Sequence, residues 1–202
     1  MCMEFRKMTL LTIAAWLSLF VLMGCSQDHV LVKNSDELRA ALEKSAKDEL
    51  VIKIGESITD IKRPFVYEGK ADLRLEGNGA ELISGGRCRI LHIKSQVRLT
   101  LEGLSFSKGR TGVRAQRGGA VYHEFGDVYI LDSVFLDNSA EWGGAVYVKG
   151  SVEVRGSRFE FNQARWKGGA IYSKKDIIIS DSVVQNNSAP QLYQGDSSAC
   201  LK

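Results

Sequence analysis

Gly118-Gly119-Ala120-Val121-Tyr122, Gly143-Gly144-Ala145-Val146-Tyr147 and Gly168-Gly169-Ala170-Ile171-Tyr172 decide the fold, because one pentapeptide returns at intervals of 25 and 25 residues. Between the copies runs a second element: Ser133-Val134-Phe135-Leu136-Asp137-Asn138, Ser157-Arg158-Phe159-Glu160-Phe161-Asn162 and Ser182-Val183-Val184-Gln185-Asn186-Asn187, spaced by 24 and 25. A third is a pair of alternating aliphatics, Val128/Ile130, Val152/Val154 and Ile177/Ile179, extended backward by Leu99/Leu101, with Phe106 in the Phe135 column. Self-similarity at a fixed period of this size marks a stack of units, each of which buries its apolar face only against its neighbours.

The units are strands. Apolar residues alternate, are rich in β-branched types and are bounded by Gly, Asn and Ser, whereas a helical repeat needs three- and four-residue spacing. Three short strands per 25 residues, returning each time to the same column, predict an all-β fold, a parallel β-solenoid whose turns stack about 4.8 Å apart. Like residues then lie on like: Val121, Val146 and Ile171 as an aliphatic stack, Phe106, Phe135 and Phe159 as an aromatic one, and Asn138, Asn162 and Asn187 as a structural ladder of side-chain amides at a turn. Upstream the pattern decays through Val51-Ile52-Lys53-Ile54, Leu73-Arg74-Leu75 and Ile90-Leu91-His92-Ile93. Asn34-Ser35-Asp36-Glu37 ahead of Leu38, Ala41 and Leu42 is a capping box with an apolar stripe, which predicts an N-terminal capping helix over 35–48. The β-helix is expected over 49–193, in about five to six turns, with 194–202 as a tail.

The Gly-Gly-Ala-Val/Ile and Phe-x-x-Asn elements, complete at Phe135/Asn138 and Phe159/Asn162, resemble the repeats of chlamydial-type polymorphic membrane proteins. That resemblance implies the right-handed parallel β-helix class shared with pectate lyases, and an adhesin-like surface role as an analogy of module. The chain has no room for the autotransporter barrel of those large proteins, so a truncated fragment of a longer adhesin is an alternative.

The N-terminus reads separately. Arg6 and Lys7 precede an apolar run from Met8 to Met23, a signal-peptide pattern. Leu22-Met23-Gly24-Cys25 then resembles the bacterial lipobox. The resemblance implies cleavage after residue 24, lipidation (diacylglycerol, palmitate) at Cys25, a tether over 25–34 and anchoring by two or three acyl chains. Ser26 stands after the cysteine where an Asp would resemble an inner-membrane retention signal, which points to the outer membrane, on its periplasmic or surface face. Cys88 and Cys200 remain, and their pairing is open.

Composition excludes some classes. Lys+Arg 27 against Asp+Glu 24 leaves +3, too little for a nucleic-acid surface made by counterion release. With 3 His, no zinc spacing, no nucleophile elbow and no phosphate loop, no catalytic residue, metal site or cofactor is assigned. The β-helix class includes lyases, so a polysaccharide lyase or glycoside hydrolase is the enzymatic alternative. Yet the acidic columns Asp127/Ser151/Asp176 and Asp132/Gly156/Asp181 skip a turn, about 9.6 Å, too far to share a calcium ion. Their expected place is at turns, and that of His123 a strand. Candidate binding residues lie elsewhere. Phe106 to Gly118 takes 12 residues where later turns take 8 and 9, and this insertion carries Lys108, Arg110, Arg114 and Arg117. It reads as an anion-binding ledge for lipopolysaccharide phosphates or an acidic glycan, or as a solvated loop. Trp142 and Trp166 read as one column, either stacked to bind sugar rings or covering a corner; Tyr122, Tyr147 and Tyr172 read as an exposed aromatic ladder, a platform for a glycan or surface protein. After Ser188 the register asks for another Gly-Gly-Ala strand and meets Pro190-Gln191-Leu192-Tyr193, so the repeat is expected to stop and leave an edge open to self-association.

Overall fold

The computed structural model describes residues 29–111, 116–188 and 190–195. Strand β1 (His29–Val32) comes first, in the stretch expected to be a tether, then helix α1 (Ser35–Leu42). There follow β2 (Glu49–Ile54), β3 (Phe65–Tyr67), the long β4 (Asp72–Ile83), β5 (Leu91–Gln96), β6 (Leu99–Ser107) and β7 (Val121–Phe125). The regular turns are β8 (Val128–Leu131), β9 (Val134–Leu136), β10 (Ser139–Trp142) and β11 (Val146–Val148), then β12 (Val152–Arg155), β13 (Arg158–Glu160), β14 (Gln163–Lys167) and β15 (Ile171–Ser173). Last come β16 (Ile177–Ser180), β17 (Val183–Gln185) and β18 (Leu192–Gln194). All pairings are parallel, giving a β-solenoid of about six turns about 25 residues apart.

One face stacks β1-β2-β4-β6-β8-β12-β16 and another β3-β5-β7-β11-β15-β18. The ends of β4 and β6 continue into a column with β9, β13 and β17, and β10 pairs with β14. The register is the one the motifs imply: Val146 lies between Val121 and Ile171, and Phe159 between Phe135 and Val184. Phe106, Phe135 and Phe159 are 0% exposed, with ring centroids 4.9 and 4.6 Å apart and planes within 7°. The rings stack face to face because the backbone spacing, not their quadrupoles, sets their separation.

Corners explain the invariant small residues. Gly143 has φ +61°, and a Cβ there would lie 2.2 Å from the Val146 carbonyl oxygen. A Cβ on Gly144 would lie 2.1 Å from Gly169 O of the next turn. The first glycine thus permits a left-handed turn, and the second lets adjacent turns touch. Other corners take the same conformation with Asp132 and Asp181 (φ 46° and 50°) around Gly156, and with Lys108, Asp137, Phe161 and Asn186. The alternating acids of the Asp132 column therefore occupy αL corners, which short polar side chains tolerate.

Asn34 caps α1: its side-chain oxygen accepts from the Asp36 and Glu37 amides, while its own amide donates to Glu37. Leu38, Ala41 and Leu42 join the core at the N-terminal end. At the other end the stack goes one strand further than expected. Leu192, Tyr193 and Gln194 pair with Ile171, Tyr172 and Ser173 after a corner shortened by four residues. Among the described residues no helix is long and apolar enough to cross a membrane, and Cys25, Arg114 and Cys200 lie outside them.

Candidate binding face

The insertion has a simple structural origin. Arg110 bridges to Ser139 and Arg117 to Trp142, so the two ends of β10 each face one end of the loop. Three residue steps on β10 correspond to seven in the turn before. On its other side β10 pairs with β14, Gln163-Ala164-Arg165-Trp166-Lys167. Arg110, Arg117, Trp142, Arg165, Trp166 and Lys167 therefore belong to one face, bracketing a two-stranded sheet.

Trp142 and Trp166 do not form the expected column. Ser139 and Ala140 pair with Gln163 and Ala164, but Trp142 pairs with Lys167 across a bulge. One extra residue in β14 shifts every later side chain. Trp142 turns edge-on to Tyr172, with centroids 5.7 Å apart, and Trp166 stays 54% exposed with the Arg165 guanidinium 5.1 Å from its centroid. Glu141 lies 3.8 Å from Arg165.

The tyrosine column is longer and less exposed than expected. His92, Tyr122, Tyr147, Tyr172 and Tyr193 succeed one another in register, with centroids 4.8, 5.4, 4.6 and 4.9 Å apart. Tyr122 is only 7% and Tyr147 only 3% exposed. Cations lie over the rings: Arg89 on Tyr122, Arg117 on Tyr147 and Lys167 on Tyr193, at 4.8, 5.3 and 4.1 Å. Arg117 also donates to the Tyr122 hydroxyl and Lys167 to that of Tyr193. Of the expected ligand cations, Arg117 is thus tied to the ladder, whereas Arg110 is exposed beside Lys108 and Asp137, in a depression floored by Gly85, Gly86 and Gly109.

Arg89 carried no sequence signal. It is 6% exposed, donates to the carbonyl oxygens of Arg117 and Gly118, and fixes the end of the insertion. Burial lowers its pKa to about 10, which leaves it cationic at neutral pH.

His123 and three of the acidic residues bond to the solenoid's own groups. His123 is 0% exposed; its Nε2 donates to Val97 O at 2.9 Å and its Nδ1 accepts from the Phe125 amide at 3.2 Å. Burial pushes its pKa down to about 4. Asp127 accepts from the Ser151 amide, and Asp176 from the Gln194 side chain. Glu160 accepts from Arg158 and Gln185, bonds that hold its carboxyl below the usual range. Among the described residues no three His, Cys, Asp or Glu cluster as metal ligands would.

Residues 132–149 match the Chlamydia polymorphic membrane protein (Chlamydia_PMP) repeat. That stretch runs from the Asp132 corner through Phe135 and Asn138 to Gly143-Gly144-Ala145 and β11. No curated relative and no solved structure matches the chain.

Proposed function

We propose that this chain is a non-catalytic binding module of a bacterial outer membrane, held there by lipid at Cys25. Its β10–β14 face takes a phosphate- or carboxylate-bearing glycan, with lipopolysaccharide as the nearest source of such groups. The repeat match at 132–149 supports a surface or outer-membrane setting. One observation carries the binding role: Arg110, Arg165 and Trp166 lie exposed on a face whose other cations, Arg117 and Lys167, are already oriented by tyrosines. Exposed cations beside an aromatic ring recognise an anionic sugar through charge-assisted hydrogen bonds and ring stacking. The polar groups inside the solenoid serve the stack itself, which leaves the outside as the working surface.

The test uses purified lipopolysaccharide, a polyuronate and a neutral dextran in titration calorimetry, with polymer length measured afterward. The anionic glycans bind and keep their length, and dextran does not bind. Arg110→Glu with Arg165→Glu lowers affinity about tenfold or more at an unchanged melting temperature, since both side chains are exposed. Unchanged affinity removes this face from the account, and a shortened polymer replaces it with an enzyme. The anchor is tested separately: Cys25→Ser abolishes metabolic palmitate labelling, and label retained on that variant contradicts it.

A further inference from the structure

We infer that the last turn is a self-complementary edge through which two copies of this chain pair. Among the described residues β16 and β17 have strand neighbours on one side only, β12 and β13. The columns they close change there: Val152, Val154 and Phe159 are 1%, 0% and 0% exposed, whereas Ile177, Ile179 and Val184 are only partly buried. At the N-terminal end, by contrast, α1 places Leu38, Ala41 and Leu42 in the core cluster, although β1 there also has a strand neighbour on one side only among the described residues. Unpaired strand amides beside apolar side chains are a template for another strand.

The residues of β16 say which strand. Lys174-Lys175-Asp176-Ile177-Ile178-Ile179-Ser180-Asp181, reversed about Ile178, sets Lys175 against Asp181 and Ile177 against Ile179. A two-fold axis through Ile178 therefore makes an antiparallel pair with two opposite-charge contacts, and it keeps all four inward isoleucines on the core side. That is an isologous contact, the same patch used twice.

The backbone agrees. The Asp176 carbonyl accepts from the Val152 amide of the preceding turn. Successive residues of a strand present their amides to opposite sides, so Ile177 and Ile179 turn theirs to the open edge. In this register those two residues are directly opposed and exchange both N–H···O=C bonds. Ile178, 60% exposed, then meets its own copy in the closer, non-hydrogen-bonded position. Tyr129 and Glu153 fill that column in the two turns before, so the apolar residue arrives only at the edge.

The experiment is sedimentation equilibrium on residues 26–202, which hold every residue of the core cluster. The chain is expected to form a reversible dimer whose population rises with concentration. Ile178→Lys places two ammonium groups face to face and yields a monomer with an unchanged melting temperature. Lys175→Asp and Asp181→Lys each weaken the dimer about tenfold, and together they restore it, because the charges are exchanged across the dyad. Lys108 already holds the backbone conformation that Asp181 needs, φ 54° against 50°. A monomer at all concentrations overturns the proposal, residues 196–202 or another segment then covering the edge. A dimer that survives Ile178→Lys overturns it equally, by placing the contact elsewhere.

Discussion

At the scale of single residues, the stack rests on side chains that bond to the same residue one turn away. Asn162 Oδ1 accepts from the backbone and side-chain amides of Asn138 at 3.1 and 3.0 Å, and its own Nδ2 donates to Asn187 Oδ1 and Phe135 O, both at 2.9 Å. Asn162→Ala removes the partners of the Asn138 backbone amide and the Phe135 carbonyl in a 0% exposed site, which costs about 2–3 kcal/mol. Asn187→Ala, at the partly exposed end, costs about 1 kcal/mol; chemical denaturation of both variants checks the order. A serine ladder runs beside it, with Ser133 and Ser157 hydroxyls accepting amides from Leu104 and Ser133. His123 makes stability pH-dependent. Its folded pKa of about 4 lies below the unfolded 6.5, so the unfolded chain binds the extra proton between those values. The stabilisation is complete above pH 6.5 and is lost as pH falls toward 4, a difference of about 3 kcal/mol. His123→Val, which copies Val148 one turn on, flattens urea-derived stability across that window.

At the scale of elements, legibility followed from stacking. Identical residues recur wherever a side chain or a corner must meet its own kind one turn away, so the Gly-Gly-Ala, Phe and Asn columns were readable from spacing alone. Features that break the repeat were not. The bulge in β14 hides in a change of spacing from 24 to 25, and only the pairing shows that Lys167, not Trp166, faces Trp142. Strand β18 lacks the glycine pair, and β1 precedes any complete repeat. Arg89 is a long cation buried by carbonyls contributed from 28 residues away, a context no local pattern carries. The two tryptophans should consequently behave differently. Trp142→Ala, losing its edge contact with Tyr172, costs about 2–3 kcal/mol. Trp166→Ala stays within about 0.5 kcal/mol but weakens glycan binding; thermal melts and calorimetry on the same pair of variants separate the roles.

At the scale of the whole molecule, the solenoid is a ruler: outward positions recur about every 4.8 Å along its axis, and function belongs to what that ruler displays. The binding face and the self-complementary edge both depend on parallel turns in the observed register. Oxidative cross-linking of exposed cysteine pairs, in a background with Cys88 and Cys200 replaced by Ser, tests that register most directly. Glu153 and Ile178 are partners across one turn. At concentrations too low for two copies to pair, a Glu153→Cys, Ile178→Cys chain therefore closes an intramolecular disulfide. Glu153→Cys with Ser180→Cys does not, because a two-residue offset sets the Cα atoms about 8 Å apart, beyond the roughly 7 Å a disulfide spans. Closure of the second pair in place of the first contradicts the register, and with it the binding face built upon it.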